Sequence, residues 1–196
     1  MYHDIKKSDF QNIEKQIQFI KKDGWKFLHP SKLFNISEKN KIKGKNIILT
    51  FDDGFFSNII FEKEVLSKYK IKAAFFIPYN FMKSKNKYES IKFIKNKLKL
   101  PNYKPDPYPR LNMNFHDIIK LNKKKHIIGF HTKNHIELSK CKSSKIIKDE
   151  ISGKMDRKFK KIILKNKFFS FPFGKLSDIN DFSYNYAKKK YNFIFL

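Results

Sequence analysis

Two short stretches of this chain carry residues suited to a reaction centre. The first is Asp52-Asp53-Gly54, placed directly behind the apolar, β-favouring run 47–51. Neighbouring side chains on an extended strand point to opposite faces, so both acids reach one site only if the strand breaks there. Gly54 permits that break, although Asp-Gly is also a common turn dipeptide with no chemistry attached. The second stretch is His131-Thr132-Lys133-Asn134-His135, which follows the apolar run 126–130. Two imidazoles four residues apart come to one side of a single tight turn. One aspartate and two histidines are three protein ligands, the number a catalytic zinc keeps while leaving a position for water. A divalent ion there would lower the pKa of water and polarise a carbonyl oxygen. The remaining aspartate would be free to act as a base.

Such a site needs strands that end side by side, and the chain alternates strand-like and helix-like segments. A helix is expected from Ser8, with Gln11 completing a capping box, Phe10, Ile13, Ile17 and Ile20 on one face, and Gly24 closing it. Residues 25–28 are a short apolar stretch, and 31–45 a polar connection with a helical turn. After the central strand 47–51, a helix over 57–70 leads to a strand over 71–78, a βαβ unit that implies parallel neighbours. Residues 80–112 interrupt the rhythm: Pro101, Pro105, Pro107 and Pro109 exclude regular structure throughout. This reads as an insertion with one helix over 90–98. Alternation resumes with a helix capped by Asn114, a strand over 126–130, and one helix from Ser143 carrying Ile147, Ile151, Met155 and Phe159. A strand over 168–171, a helix with Ile179, Phe182 and Tyr186, and a strand over 191–196 complete the chain.

Composition narrows the function class. The net charge of +26 would ordinarily suggest nucleic acid or an anionic membrane, but only Arg110 and Arg157 among the 44 basic residues are arginine. Arginine is the preferred residue for bidentate phosphate and base-edge contacts, and no binding motif accompanies the lysines. Nucleic acid is therefore not expected as the partner. The lone Cys141 excludes an internal disulfide framework. No apolar run approaches the ~20 residues of a membrane span. No basic segment followed by an apolar core opens the chain, so a cytoplasmic location is expected.

Thr50-Phe51-Asp52-Asp53-Gly54, the His-Thr-x-x-His of 131–135 and Phe171-Pro172-Phe173-Gly174 resemble, in order and spacing, the polysaccharide deacetylases (the NodB-homology family, carbohydrate esterase family 4). The likeness runs over essentially the whole chain, as a single domain over 1–196 with the insertion at about 80–112. It implies an α/β fold, a deformed or incomplete (β/α)7-type barrel. It also implies metal-dependent removal of N-acetyl groups from an N-acetylated carbohydrate. The resemblance assigns Asp52 as base and Asp53, His131 and His135 as metal ligands, zinc first with cobalt or nickel as alternatives. Phe173 stands where the family has a tyrosine whose backbone N–H holds the oxyanion; Pro172 belongs to the same motif, and Thr132 would brace the histidine turn. Ser170 occupies the place of the family's arginine, and the late Leu-x-His motif that carries the general acid is missing. Tyr2-His3 resembles members with that histidine on the first strand, which makes His3 the candidate acid. The alternative is a carbohydrate-binding member of the same fold without activity.

Overall fold

The computed structural model describes residues 1–35 and 41–196. Among the described residues seven short strands form the frame: β1 (Lys26–Phe27), β2 (Asn46–Ile47), β3 (Thr50–Phe51), β4 (Ala74–Ile77), β5 (Ile127–Phe130), β6 (Phe168–Ser170) and β7 (Phe193–Phe195). The helices are α1 (Phe10–Lys22), α2 (Ser57–Phe61), α3 (Tyr79–Met82), α4 (Lys87–Asn96), α5 (Phe115–Lys123), α6 (Ser144–Ser152), α7 (Arg157–Asn166) and α8 (Asp181–Lys190). Strands β3 to β7 pair in chain order, all parallel, and β1 pairs with β2 in a second parallel sheet. Helices connect successive strands, giving a curled half-barrel. This is the incomplete barrel expected from the sequence.

Buried phenylalanines fill the sheet. The Phe51 and Phe75 rings stack at 4.8 Å across β3 and β4, and Phe130 meets Phe169 at 6.2 Å across β5 and β6. Strands β4 and β5 are buried on both faces, as parallel strands covered by helices must be. A Cβ on Gly129 would fall 2.4 Å from Phe76 Cδ1, so the close packing of β4 on β5 requires glycine there. No helix among the described residues is long and apolar enough to cross a membrane.

Several elements depart from the sequence reading. Ser8 does not cap α1; a 3-10 turn over Lys7–Asp9 precedes the helix, and the Lys7 N–H is held by Asp106 at 2.8 Å. The central strand is two pieces, because β2 pairs with β1 and β3 with β4. The helix expected over 57–70 is a short α-helix that widens into a π-turn over Glu62–Leu66. The helix expected from Ser143 breaks at Gly153, whose extended backbone ends α6 and lets α7 start afresh under β5. The insertion's helix begins earlier than expected because Asn86 accepts from the Glu89 N–H and caps it.

The insertion has a core of its own. Phe81, Ile94, Leu98 and Leu111 close over Phe55. The Phe56 N–H donates to the Leu111 carbonyl at 2.7 Å and the Met113 N–H to the Gly54 carbonyl at 2.8 Å. The segment that carries Asp52 and Asp53 is thus clamped by the far end of the insertion. At the start of the chain, Tyr2 bridges Phe51 in parallel, and Tyr103 O–H and Ser57 O–H both donate to Asp4. Tyr2 extends the β3 edge while β7 forms the opposite one, so His3 arrives beside β3.

Away from these strand ends, buried Glu62 joins the π-turn to β5. It accepts from Lys124 at 2.6 Å, from Ser67 at 2.7 Å and lies 3.2 Å from His126 Nε2. Burial disfavours its charge, but His126, Lys124 and Ser67 outweigh that and hold it at about 2, against an ordinary 4.5. A carboxyl depressed on folding contributes stability above its unfolded pKa and loses it as pH falls toward the folded one. Stability should therefore drop between about pH 4.5 and pH 2 by on the order of 3 kcal/mol from this group. Chemical denaturation across that range should show Glu62→Gln losing most of this component of the slope; an unchanged slope would contradict the assignment.

Candidate active site

Each candidate side chain sits just beyond the carboxyl end of a strand, where α/β folds place their chemistry. Asp53 and Gly54 both take left-handed backbone angles, at φ 69° and 70°. That double turn brings Asp52 and Asp53 to one site despite their adjacency. Asp52 Oδ2 lies 3.7 Å and Asp53 Oδ1 3.5 Å from His131 Nε2. The 131–135 turn is equally forced. Thr132 and His135 have φ 61° and 53°, and the Thr132 hydroxyl accepts from the His135 N–H at 3.0 Å. Positive φ on a β-branched residue is rare, and each non-glycine residue held there costs about 1 kcal/mol or more.

The imidazoles are oriented by backbone carbonyls. His131 Nδ1 lies 2.8 Å from the Ser170 carbonyl and His135 Nδ1 3.2 Å from the Lys97 carbonyl. A carbonyl only accepts, so both Nδ1 atoms carry a proton and both Nε2 atoms present lone pairs when neutral. Those Nε2 atoms converge on Asp53 Oδ1, at 3.5 Å for His131 and 3.2 Å for His135. Asp53 Oδ1 is buried and makes no hydrogen bond. One atom from each of Asp53, His131 and His135 lies within 4.8 Å of the others, a buried group able to hold a metal ion.

The electrostatics separate the two acids. Burial raises Asp53, but the positive charge that His131 and His135 can carry beside it prevails and holds it well below the carboxylate range. Burial also dominates at Asp52, where the charge of Asp53 adds to it. His131, His3 and the Ser170 hydroxyl pull the other way, and Asp52 remains raised. Burial lowers His131, while Asp53 and Asp52 more than compensate and raise it. Ser170 O–H donates to Asp52 Oδ2 at 3.0 Å, and Asp52 Oδ1 is left without a partner.

Other residues close the site. Pro172 is buried behind β6, and Phe173, at φ 68°, sets its ring edge-on to His135 at 4.7 Å. Among the described residues the Phe173 N–H meets no backbone acceptor. His3 has its carbonyl held by Asn58 at 2.8 Å, and the Asp52 N–H donates to the Tyr2 carbonyl at 2.8 Å. Its exposed ring stands near enough to Asp52 to act on that acid's charge, but makes no hydrogen bond with the cluster.

Three contributors escaped the sequence reading. The Ser170 hydroxyl and carbonyl serve Asp52 and His131 together. The Lys97 carbonyl comes from the insertion. Buried Glu150 of α6 accepts from the Lys133 N–H at 3.1 Å and the Asn134 N–H at 2.8 Å, and also takes the Asn134 amide. The only signal for Glu150 was a carboxylate among the apolar positions of its helix.

A sequence profile for polysaccharide deacetylase matches residues 39–192. Compared by sequence with curated proteins, the chain matches none. Solved structures share the fold at low identity. The Streptococcus pyogenes deacetylase PplD in complex with acetate is 18% identical, with a TM-score of 0.67 over 97% of this chain and 77% of that one. IcaB from Ammonifex degensii is 17% identical, with a TM-score of 0.69 over 96% and 77%. The de-N-acetylase from Aggregatibacter actinomycetemcomitans is 15% identical, with a TM-score of 0.67 over 92% and 74%.

If Glu150 holds the histidine turn, Glu150→Ala should loosen it and leave the Asn134 N–H unpaired, while the Lys133 N–H keeps the Glu150 carbonyl at 3.0 Å, a loss of about 1–3 kcal/mol. Cobalt affinity, read by calorimetry, should fall by tenfold or more, as for other supports of metal ligands. Lost stability with unchanged cobalt affinity would reduce Glu150 to a purely structural role.

Proposed function

Because the chain belongs to the polysaccharide deacetylase family, we propose that it is a metal-dependent hydrolase removing N-acetyl groups from an N-acetylated sugar or glycan. One observation carries the metal dependence. Two imidazoles with their Nδ1 protons committed to carbonyls aim their Nε2 lone pairs at an unsatisfied, buried carboxylate oxygen. Such a set is complete only with a cation or added protons between the groups, and carbonyl-fixed imidazoles are the usual support of metal-ligating histidine.

Asp53, His131 and His135 would hold the ion, zinc by the donor set, with cobalt or nickel as alternatives. When bound, it lowers the pKa of water and polarises the acetyl oxygen. Asp52, with one oxygen unpartnered and its pKa raised, is suited to take the proton from the attacking water. The Ser170 hydroxyl fixes the carboxylate plane while leaving that oxygen free. The water oxygen adds to the acetyl carbon, and the Phe173 N–H is available to donate to the acetyl oxygen as it gains charge. The C–N bond then breaks as the nitrogen receives a proton, which we assign to His3. An amine anion is too poor a leaving group without one, and histidine is the side chain most often used to deliver such a proton. The products are acetate and the free amine.

Zinc-loaded protein offered N-acetylhexosamine oligomers should release acetate. His3→Ala should cut turnover by about two to four orders of magnitude with metal content unchanged. Asp52→Asn should abolish turnover and retain carbohydrate binding. Carbohydrate binding without acetate release by any metal-loaded form would instead identify a non-catalytic member of the family. Full turnover in His3→Ala would place the acid elsewhere.

A further inference from the structure

Exposed lysines occur along the whole length of this chain, so their abundance carries no argument. One group of lysines differs because it shares a cavity with the site. Lys97 and Lys99, just past α4, and Lys140 line a space of about 280 Å3 together with His135, Phe173 and Glu137. Glu137 is paired with Lys140 at 2.8 Å, whereas neither Lys97 nor Lys99 has a carboxylate partner among the described residues. Three ammoniums against one carboxylate leave an excess of two positive charges in the cavity. Asn96, Ile136 and His135 complete its wall with Phe173, whose ring is 38% exposed and sets its edge on His135.

These features describe a ligand with two kinds of surface. An exposed aromatic ring beside polar groups offers a platform for the apolar face of a sugar. Lysine ammoniums bind phosphate and carboxylate as point charges and need no bidentate geometry. Because the cavity touches His135, a sugar unit lying in it would adjoin the acetamide being cleaved. Taking the deacetylase reading as its basis, we infer that this cavity is a subsite for the neighbouring sugar unit and selects one bearing an anionic substituent, a phosphate or a carboxylate. Lys97 and Lys99 come from the insertion, so the insertion contributes specificity here as well as the carbonyl that orients His135.

Binding to the Asp52→Asn protein, loaded with zinc and followed by calorimetry at low ionic strength, tests this without turnover. Three probes share one backbone: an N-acetylglucosamine tetramer, the same length with alternate units carrying a lactyl carboxylate, and the same length carrying glycerol phosphate. At least one anionic probe should bind about tenfold more tightly than the neutral tetramer, with an advantage that shrinks as salt is added. Its identity distinguishes carboxylate from phosphate. Adding K97Q and K99Q should remove the advantage without moving the His135 support, since the Lys97 carbonyl remains. Adding K189Q and K190Q on α8 removes the same charge away from the cavity and should preserve it. Equal affinity for all three probes, an advantage that survives K97Q/K99Q, or one lost equally in K189Q/K190Q would overturn the subsite. Acetate release by the unsubstituted enzyme reports separately on the deacetylase reading. Turnover with equal affinities overturns the subsite alone, and anion-selective binding with no turnover of any probe overturns the activity alone.

Discussion

Asp53 Oδ1 is a buried oxygen facing two imidazole nitrogens whose protons are committed elsewhere, and the local structure is arranged to hold it there. Three lone-pair donors do not stay together in a low-dielectric interior without positive charge between them. Here the Ser170 and Lys97 carbonyls fix both rings, and the arrangement persists at a measurable expense in backbone conformation. Asp53, Thr132, His135 and Phe173 all hold left-handed angles. Lys70, Lys99, Lys125 and Lys167 hold such angles as well, but half of the eight non-glycine positions that do so among the described residues belong to the site. Strain of this kind persists only where the surroundings over-determine it.

The surroundings do so from several directions. Leu111 and Met113 clamp the Asp52–Phe56 loop from the insertion side, Glu150 gathers the backbone of the histidine turn, and Tyr2 pairs along β3 to bring His3 alongside Asp52. The two acids, identical in type and adjacent in sequence, are thereby driven apart in character. One is held ionised between imidazoles, and the other is raised above an ordinary carboxylate by burial. Divergent environments for like groups are what acid–base division of labour requires.

Much of this was legible in the sequence, for identifiable reasons. Asp52-Asp53-Gly54 and the 131–135 pair stand out because side chains carry their chemistry and because each follows an apolar run that the parallel sheet buries. What stayed hidden is carried by backbone. The Ser170 and Lys97 carbonyls that fix the imidazoles leave no mark in residue type. Glu150 is one carboxylate among many on amphipathic helices. The break between α6 and α7 was signalled only by Gly153, a poor helix former that the four-residue spacing of Ile147, Ile151, Met155 and Phe159 overrode. The central strand misread as continuous has apolar residues throughout, and only pairing partners divide it into β2 and β3.

The most direct test of this account is a zinc titration of chelator-treated protein at neutral pH, followed by calorimetry in the unsubstituted chain and in Asp53→Ala, His131→Ala and His135→Ala. The account predicts a single ion bound per chain, with tight binding lost in each of the three variants while the fold, read by circular dichroism, is retained. Absence of stoichiometric binding in the unsubstituted chain, or equal binding in all three variants, would contradict it.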